Sequence, residues 1–160
     1  MDEKREMLRH FLAALAYRTQ KALRGAPPEF AEFVAGNDVR TPAELVRHMT
    51  SVLGYARTFF VGGGYRPGPL PTMTEEVERF HEMLGLVSEH LSNGDPFLDI
   101  MTAERMLQGP FSDAMTHAGQ LAMLRRLFGE PIASENFIFA NVSPENLSSD
   151  QPEPAMPDLD

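Results

Sequence analysis

Four long segments of the chain carry apolar residues at helical spacing, and each one stops at glycine or proline. Leu8, Phe11, Leu12, Leu15 and Leu23 form the first stripe, in a helix expected over residues 4–24 that Gly25-Ala26-Pro27-Pro28 ends. The second helix opens on Thr41-Pro42-Ala43-Glu44, a capping box with proline at the first helical position, and should run to about Val61 before Gly62-Gly63-Gly64. A third is expected over residues 74–92, with Val77, Phe80, Leu84, Val87 and Leu91 on one face. A short helical piece over residues 99–108 leads to Gly109-Pro110. There a fourth helix begins and runs to Phe128, where Gly129-Glu130-Pro131 stops it. No segment alternates with the period of a strand for more than a few residues, and no repeat is visible. The pattern specifies an all-α four-helix bundle over residues 1–142 and an irregular tail over residues 143–160, rich in Pro, Ser, Asp and Glu and expected to be extended or mobile.

Between the helices, residues 26–40 read as a linker in which Phe30, Phe33 and Val34 cover one end of the core. The run from Gly62 to Pro71 has no strand before it and no Gly-Lys-Ser/Thr after it. It therefore reads as a flexible connector that can rim a pocket, and not as a phosphate loop. Asn136–Val142 is apolar enough to pack on the bundle. Ten methionines, Met115 and Met123 among them, read as gap fillers.

Composition narrows the function. The chain has no cysteine, which excludes disulfides, thiolate metal sites and a cysteine nucleophile. Net charge is −9, with 23 acidic against 14 basic residues and no basic stripe, so nucleic acid is not an expected partner. Arg125-Arg126 reads as a solvated helix face. No stretch reaches the roughly 18 apolar residues that span a bilayer, and Asp2-Glu3-Lys4-Arg5-Glu6 lacks the order of a signal peptide. A cytoplasmic protein without membrane partners is expected.

The histidines carry the chemistry. With Asp113 set to zero at about 100° per residue, His117 falls near 40°, Gln120 near 340° and Leu124 near 20°, so the three polar groups share the arc of Leu121, Leu127 and Phe128. Burying a carboxylate and an imidazole among leucines is unfavourable unless each finds a partner, and a divalent cation satisfies both. On the second helix, His48 falls on the apolar stripe beside Val52, Tyr55 and Phe59. His48, Asp113 and His117 therefore form a candidate set of two imidazoles and one carboxylate, suited to Zn, Fe(II), Ni or Mn with positions left open for water or substrate. The competing reading is of core histidines hydrogen-bonded to backbone or neighbouring side chains. His81, at the edge of the third helix's apolar face, is a reserve ligand, whereas His10 and His90 point away.

A histidine in a capped second helix, followed some 70 residues later by His117-Ala-Gly-Gln120-Leu-Ala-Met-Leu-Arg-Arg-Leu-Phe-Gly-Glu-Pro131, resembles the DinB-like (DinB/YfiT) superfamily of metal-binding four-helix bundles, over roughly residues 5–132. The resemblance implies an up-down-down-up bundle, a homodimer, and a divalent metal held by three histidines, one on helix two and two spaced i, i+4 on the last helix. His48 and His117 match two of these positions. Asp113 stands at the third, where it keeps a metal-competent oxygen. Characterised relatives include transferases and isomerases that use low-molecular-weight thiols such as mycothiol, bacillithiol or glutathione.

A thiol-dependent S-transferase or isomerase acting on a small molecule is thus implied, with Gln120 and Tyr55 as candidate catalytic or orienting groups. Packing is the competing reading for Tyr55, and a hydrogen bond to a neighbouring helix for Gln120. Two further functions stand beside it: a non-catalytic bundle that binds a small ligand or dimerises, and a metal-dependent hydrolase. No glutamate on either ligand-bearing stripe offers the general base that the hydrolase needs.

Overall fold

The computed structural model describes residues 2–155. Among them it is all-helical with no strand: four long helices, α1 (Glu3–Leu23), α2 (Pro42–Val61), α3 (Met73–Asn93) and α5 (Ser112–Phe128), with a single-turn helix α4 (Ala103–Met106) before the last. The capping box foreseen at Thr41 is present, with Thr41 Oγ1 accepting from Glu44 N–H and Glu44 returning a bond to Thr41 N–H. A second box joins Thr72 and Glu75 at the start of α3. The expected break at Gly109-Pro110 lies inside one wide helical turn, Leu107–Phe111, where Gly109 leaves helical geometry (φ −93°, ψ −105°). Proline removes a backbone donor there, and α5 starts two residues later than the sequence suggested.

Side-chain pairs fix the direction of each helix. Arg5 donates to Asp95 O and Arg9 to Ser88 Oγ, so α1 and α3 are antiparallel. Arg47 meets Glu76 near both starts and Phe60 stacks on His90 near both ends, so α2 and α3 run parallel. Phe11 stacks on Phe111 and Arg125 reaches Ala22 O, so α5 runs with α1 and against α2. The core between them is built from Leu12, Leu15, Met49, Leu53, Phe80, Leu84, Phe111 and Leu121, all fully buried.

Parallel neighbours need a long return. The 20 residues of α2 rise about 30 Å, and residues 62–72, fully extended, reach about 36 Å. The glycine/proline segment is therefore a taut crossover along the bundle and not a slack connector. Its fastenings are specific: the Tyr65 ring lies so close over Gly54 that a Cβ there would sit 2.0 Å from Cδ1, and Leu70 N–H donates to Glu76 Oε1 at 2.8 Å. Glu76 is buried and also accepts from Arg79 (2.6 Å) and Arg47 (3.4 Å), while Arg79 donates to Gly68 O.

Several sequence expectations change. Arg125 is buried, not solvated: it donates to Ala22 O, Arg24 O and Glu130 O, supplying the C-terminal carbonyls of α1 with partners. Phe30 and Phe33 cap the core against Phe128 as expected, but Val34 is 71 % exposed. His90 is half-buried against Phe60 and bonds Asp95 Oδ2 at 2.6 Å. Of Asn136–Val142, Phe137 packs on Tyr17 and Arg18, whereas Ile138 and Phe139 are exposed.

The segment after Ser143 has no regular element up to residue 155, yet it is tied to the bundle. His81 Nδ1–H donates to Leu147 O at 2.7 Å, Arg24 donates to Gln151 O at 2.6 Å, and Gln151 is buried. Tyr17, Lys21 and Glu135 form a buried cluster that joins α1 to the segment after α5. Tyr17 O–H donates to Glu135 Oε1 at 2.5 Å and Lys21 Nζ lies 2.9 Å from Oε2. No helix among the described residues is long and apolar enough to cross a membrane.

Candidate metal centre

On α5 the buried positions are Ala114, His117, Ala118, Leu121, Leu124 and Arg125. On the scale that sets Asp113 to zero they centre near 80°, which places Asp113, Gln120 and Leu127 on the margin of the buried arc. The polar stripe is thus the rim of the bundle, not its middle. His117 is buried, Gln120 is exposed and the Asp113 side chain is 51 % exposed. The same rotation brings Arg125 inside.

From α2, the half-buried His48 ring meets His117 edge to face, with centroids 4.7 Å apart and planes at 76°. His117 Nε2 lies 3.3 Å from Asp113 Oδ1. One ligand atom from each of His48, Asp113 and His117 falls within 4.8 Å of the others, and no other set of three such side chains comes this close among the described residues. Ligands at about 2.0–2.2 Å from a tetrahedral metal stand about 3.4 Å apart. The His117–Asp113 spacing of 3.3 Å already fits, and the widest spacing, 4.8 Å at most and involving His48, needs a closure of up to about 1.4 Å.

The hydrogen bonding around His117 leaves one ring nitrogen free for a ligand. His117 Nδ1–H donates to Gln120 Oε1 at 2.7 Å. That bond leaves the Nε2 lone pair facing inward, where Nε2 is buried and has no hydrogen-bond partner. Nε2 faces the Asp113 carboxylate oxygen at 3.3 Å, a contact that either a proton on Nε2 or a metal ion between the two satisfies. Burial pushes His48 below the ordinary histidine value of 6.5; Arg40 and His117 push the same way and Asp113 opposes them. A neutral imidazole is the form that binds metal.

Other candidates lie apart. His81 is buried and its Nε2 has no hydrogen-bond partner, but it faces no carboxylate and is held by Leu147 O. Tyr55 is two turns beyond His48 on α2, about 10 Å along the axis, exposed and packed on Phe59.

Two cavities lie near the triad, one containing His48 and the other reaching only Gln120, the hydrogen-bond partner of His117. One of about 460 Å³ includes Gln120, Leu45, Met123 and Leu127; the other, about 310 Å³, includes His48, Arg47, Ser51 and Pro67 of the crossover. Arg40 lines both. Met123, expected to fill a core gap, is instead an exposed wall of the first. A larger cavity of about 640 Å³ near Phe30, Met73 and Val77 contains none of the candidate residues. Compared with family models, curated proteins and solved structures, the chain matches none.

Proposed function

We propose that the chain is a metal-dependent enzyme of the DinB-like kind, with His48, Asp113 and His117 as ligands of one divalent transition ion: Zn, Ni, Fe(II) or Mn. The observation that carries this reading is the convergence of two imidazoles and a carboxylate, from two helices, with one ligand atom of each within 4.8 Å of the others. The opposed senses of α1 and α5 against α2 and α3 also support it, since up-down-down-up is the course that the resemblance implies.

Three protein ligands leave positions open, and Asp113, half exposed on the rim, puts them within reach of solvent, with His48 lining the smaller cavity. Gln120 holds His117 in the tautomer that presents Nε2, the orienting part that outer hydrogen bonds play at metal sites. One carboxylate against a divalent ion leaves net positive charge at the centre, suited to an anionic ligand. A bound metal there would lower the pKa of a low-molecular-weight thiol and hold it as thiolate for transfer to a small electrophile. The chain has no cysteine, so the thiol is supplied from outside.

Cobalt-substituted protein titrated with glutathione, bacillithiol and mycothiol tests this. A thiolate-to-cobalt absorption band with one of them, absent in His117→Ala, is the expected result. Bound cobalt without such a band for any thiol removes the transferase reading and turns the search to hydrolysis. No bound cobalt leaves a ligand-binding bundle.

A further inference from the structure

Arg40 stands out among the cations near the triad. Arg47 is turned to Glu76, and Glu44 is committed to Thr41 N–H, whereas Arg40 has neither an ion pair nor a hydrogen bond among the described residues. It is exposed and belongs to two cavities, one lined by His48 and the other by Gln120. The larger of the two continues from Arg40 along an apolar wall, on which Met123 is 56 % and Leu127 60 % exposed, with Val39 beside them. Large apolar side chains left in water next to a free guanidinium match a ligand that has one charged end and a hydrocarbon body. The cavity is of the size that small-molecule sites occupy.

The charge of that ligand follows from its surroundings. A guanidinium's planar fork pairs with a carboxylate through two parallel hydrogen bonds. Asp38 shares the cavity wall, in a turn fixed by left-handed backbone at Asn37 (φ 51°) and Asp38 (φ 57°). Its carboxylate repels a second negative charge, which favours a monoanion over a phosphate monoester.

We infer that the site takes a small organic acid with an apolar body, its carboxylate on Arg40 and its hydrocarbon over Leu45, Met123 and Leu127. This deepens the enzyme reading above, on which it rests, by naming the class of substrate held in the cavity that reaches Gln120, the hydrogen-bond partner of His117. Gln120 lines the same cavity while holding His117, so the acid lies against the triad's own hydrogen-bond partner.

Octanoate is the probe, with octanol and acetate as controls that each keep one half of its chemistry. Binding is followed by amide chemical shifts in metal-free and zinc-loaded protein. Octanoate should shift Val39, Gln120, Met123 and Leu127 and bind more tightly than either control. Arg40→Gln should weaken it about tenfold or more, the loss of one charge-assisted pair, and Leu127→Ser should weaken it further. Both side chains are exposed, so both variants should fold, and both should keep native zinc content. Equal octanoate affinity in Arg40→Gln, shifts confined to other surfaces, or no binding overturns the inference. The two readings separate cleanly: octanoate bound by a protein that takes no zinc leaves this inference standing without the metal, and zinc bound without octanoate does the reverse.

Discussion

Replacing Glu76 by alanine should unfasten the crossover that joins the parallel helices α2 and α3. The carboxylate is buried and holds three donors: Leu70 N–H at 2.8 Å, Arg79 at 2.6 Å and Arg47 at 3.4 Å. Removing one partner of a buried ion pair costs about 3–5 kcal/mol, because the other charge is left unpaired. Here the two guanidinium groups retain 20–26 % exposure and can turn partly to water, which places the loss near the lower end, about 3 kcal/mol. For a chain of this length that is about 6–12 °C in melting temperature. Glu76→Gln keeps an acceptor for Leu70 N–H and loses only the charge assistance, so it should cost about 1.5–3 kcal/mol. Urea denaturation gives both values, and thermolysin digestion should show faster cleavage within residues 62–72 in the alanine variant. A loss below about 1 kcal/mol with unchanged cleavage would refute the idea that Glu76 anchors the crossover.

Other outcomes follow from the same contacts. Gly54→Ala should cost about 1–3 kcal/mol by displacing the Tyr65 ring, and adding Tyr65→Ala should make the glycine substitution nearly neutral, a non-additivity that a double-mutant cycle reads directly. Burial, with the Glu135 hydrogen bond and charge, raises the Tyr17 phenol to about 12. Spectrophotometric titration should therefore show one of the three tyrosines ionising near there, and the stability it contributes should persist below pH 10 and disappear as pH rises through about 12. Burial holds His81 below its ordinary 6.5 although its bond to Leu147 O works the other way. The folded state thus resists protonation at His81, and native stability should fall as pH drops from about 6.5 through the lowered value, with a shallower slope in His81→Gln. Gln120→Ala should weaken zinc binding about 10–100-fold in a competition assay, since His117 would lose the bond that sets its tautomer.

Much of the bundle was legible because helix signals are local. The Thr41 capping box, the stop at Gly129 and the stripes of α1 and α3 depend on residues within a turn or two of each other. The juxtaposition of His48 with Asp113 and His117 was also foreseeable, since each lies on or beside a face that must turn to the core.

What escaped were long-range consequences. The arc shared by Asp113, His117, Gln120 and their neighbouring leucines centres near 20° on the scale set by Asp113, about 60° from the centre of the buried positions, and that offset hides the burial of Arg125 and the exposure of Leu127 and Met123. His81 lies at the edge of its helix's buried arc, and it is covered because Leu147, 66 positions later, folds back over it. Glu76 could have been found: it is in step with Phe80, Met83 and Val87 on the buried face of α3. Glu135 could not, because its partners Tyr17 and Lys21 lie at the other end of the chain.

The triad itself is tested most directly by metal content, measured by inductively coupled plasma mass spectrometry on untagged protein purified without chelators, beside His48→Ala and Asp113→Ala. Near one equivalent of a transition metal in the native chain, lost in both variants while their helical circular dichroism is kept, is the expected result. A native protein that remains without metal after reconstitution with zinc, nickel, manganese and ferrous iron would contradict the site, and with it the enzymatic reading.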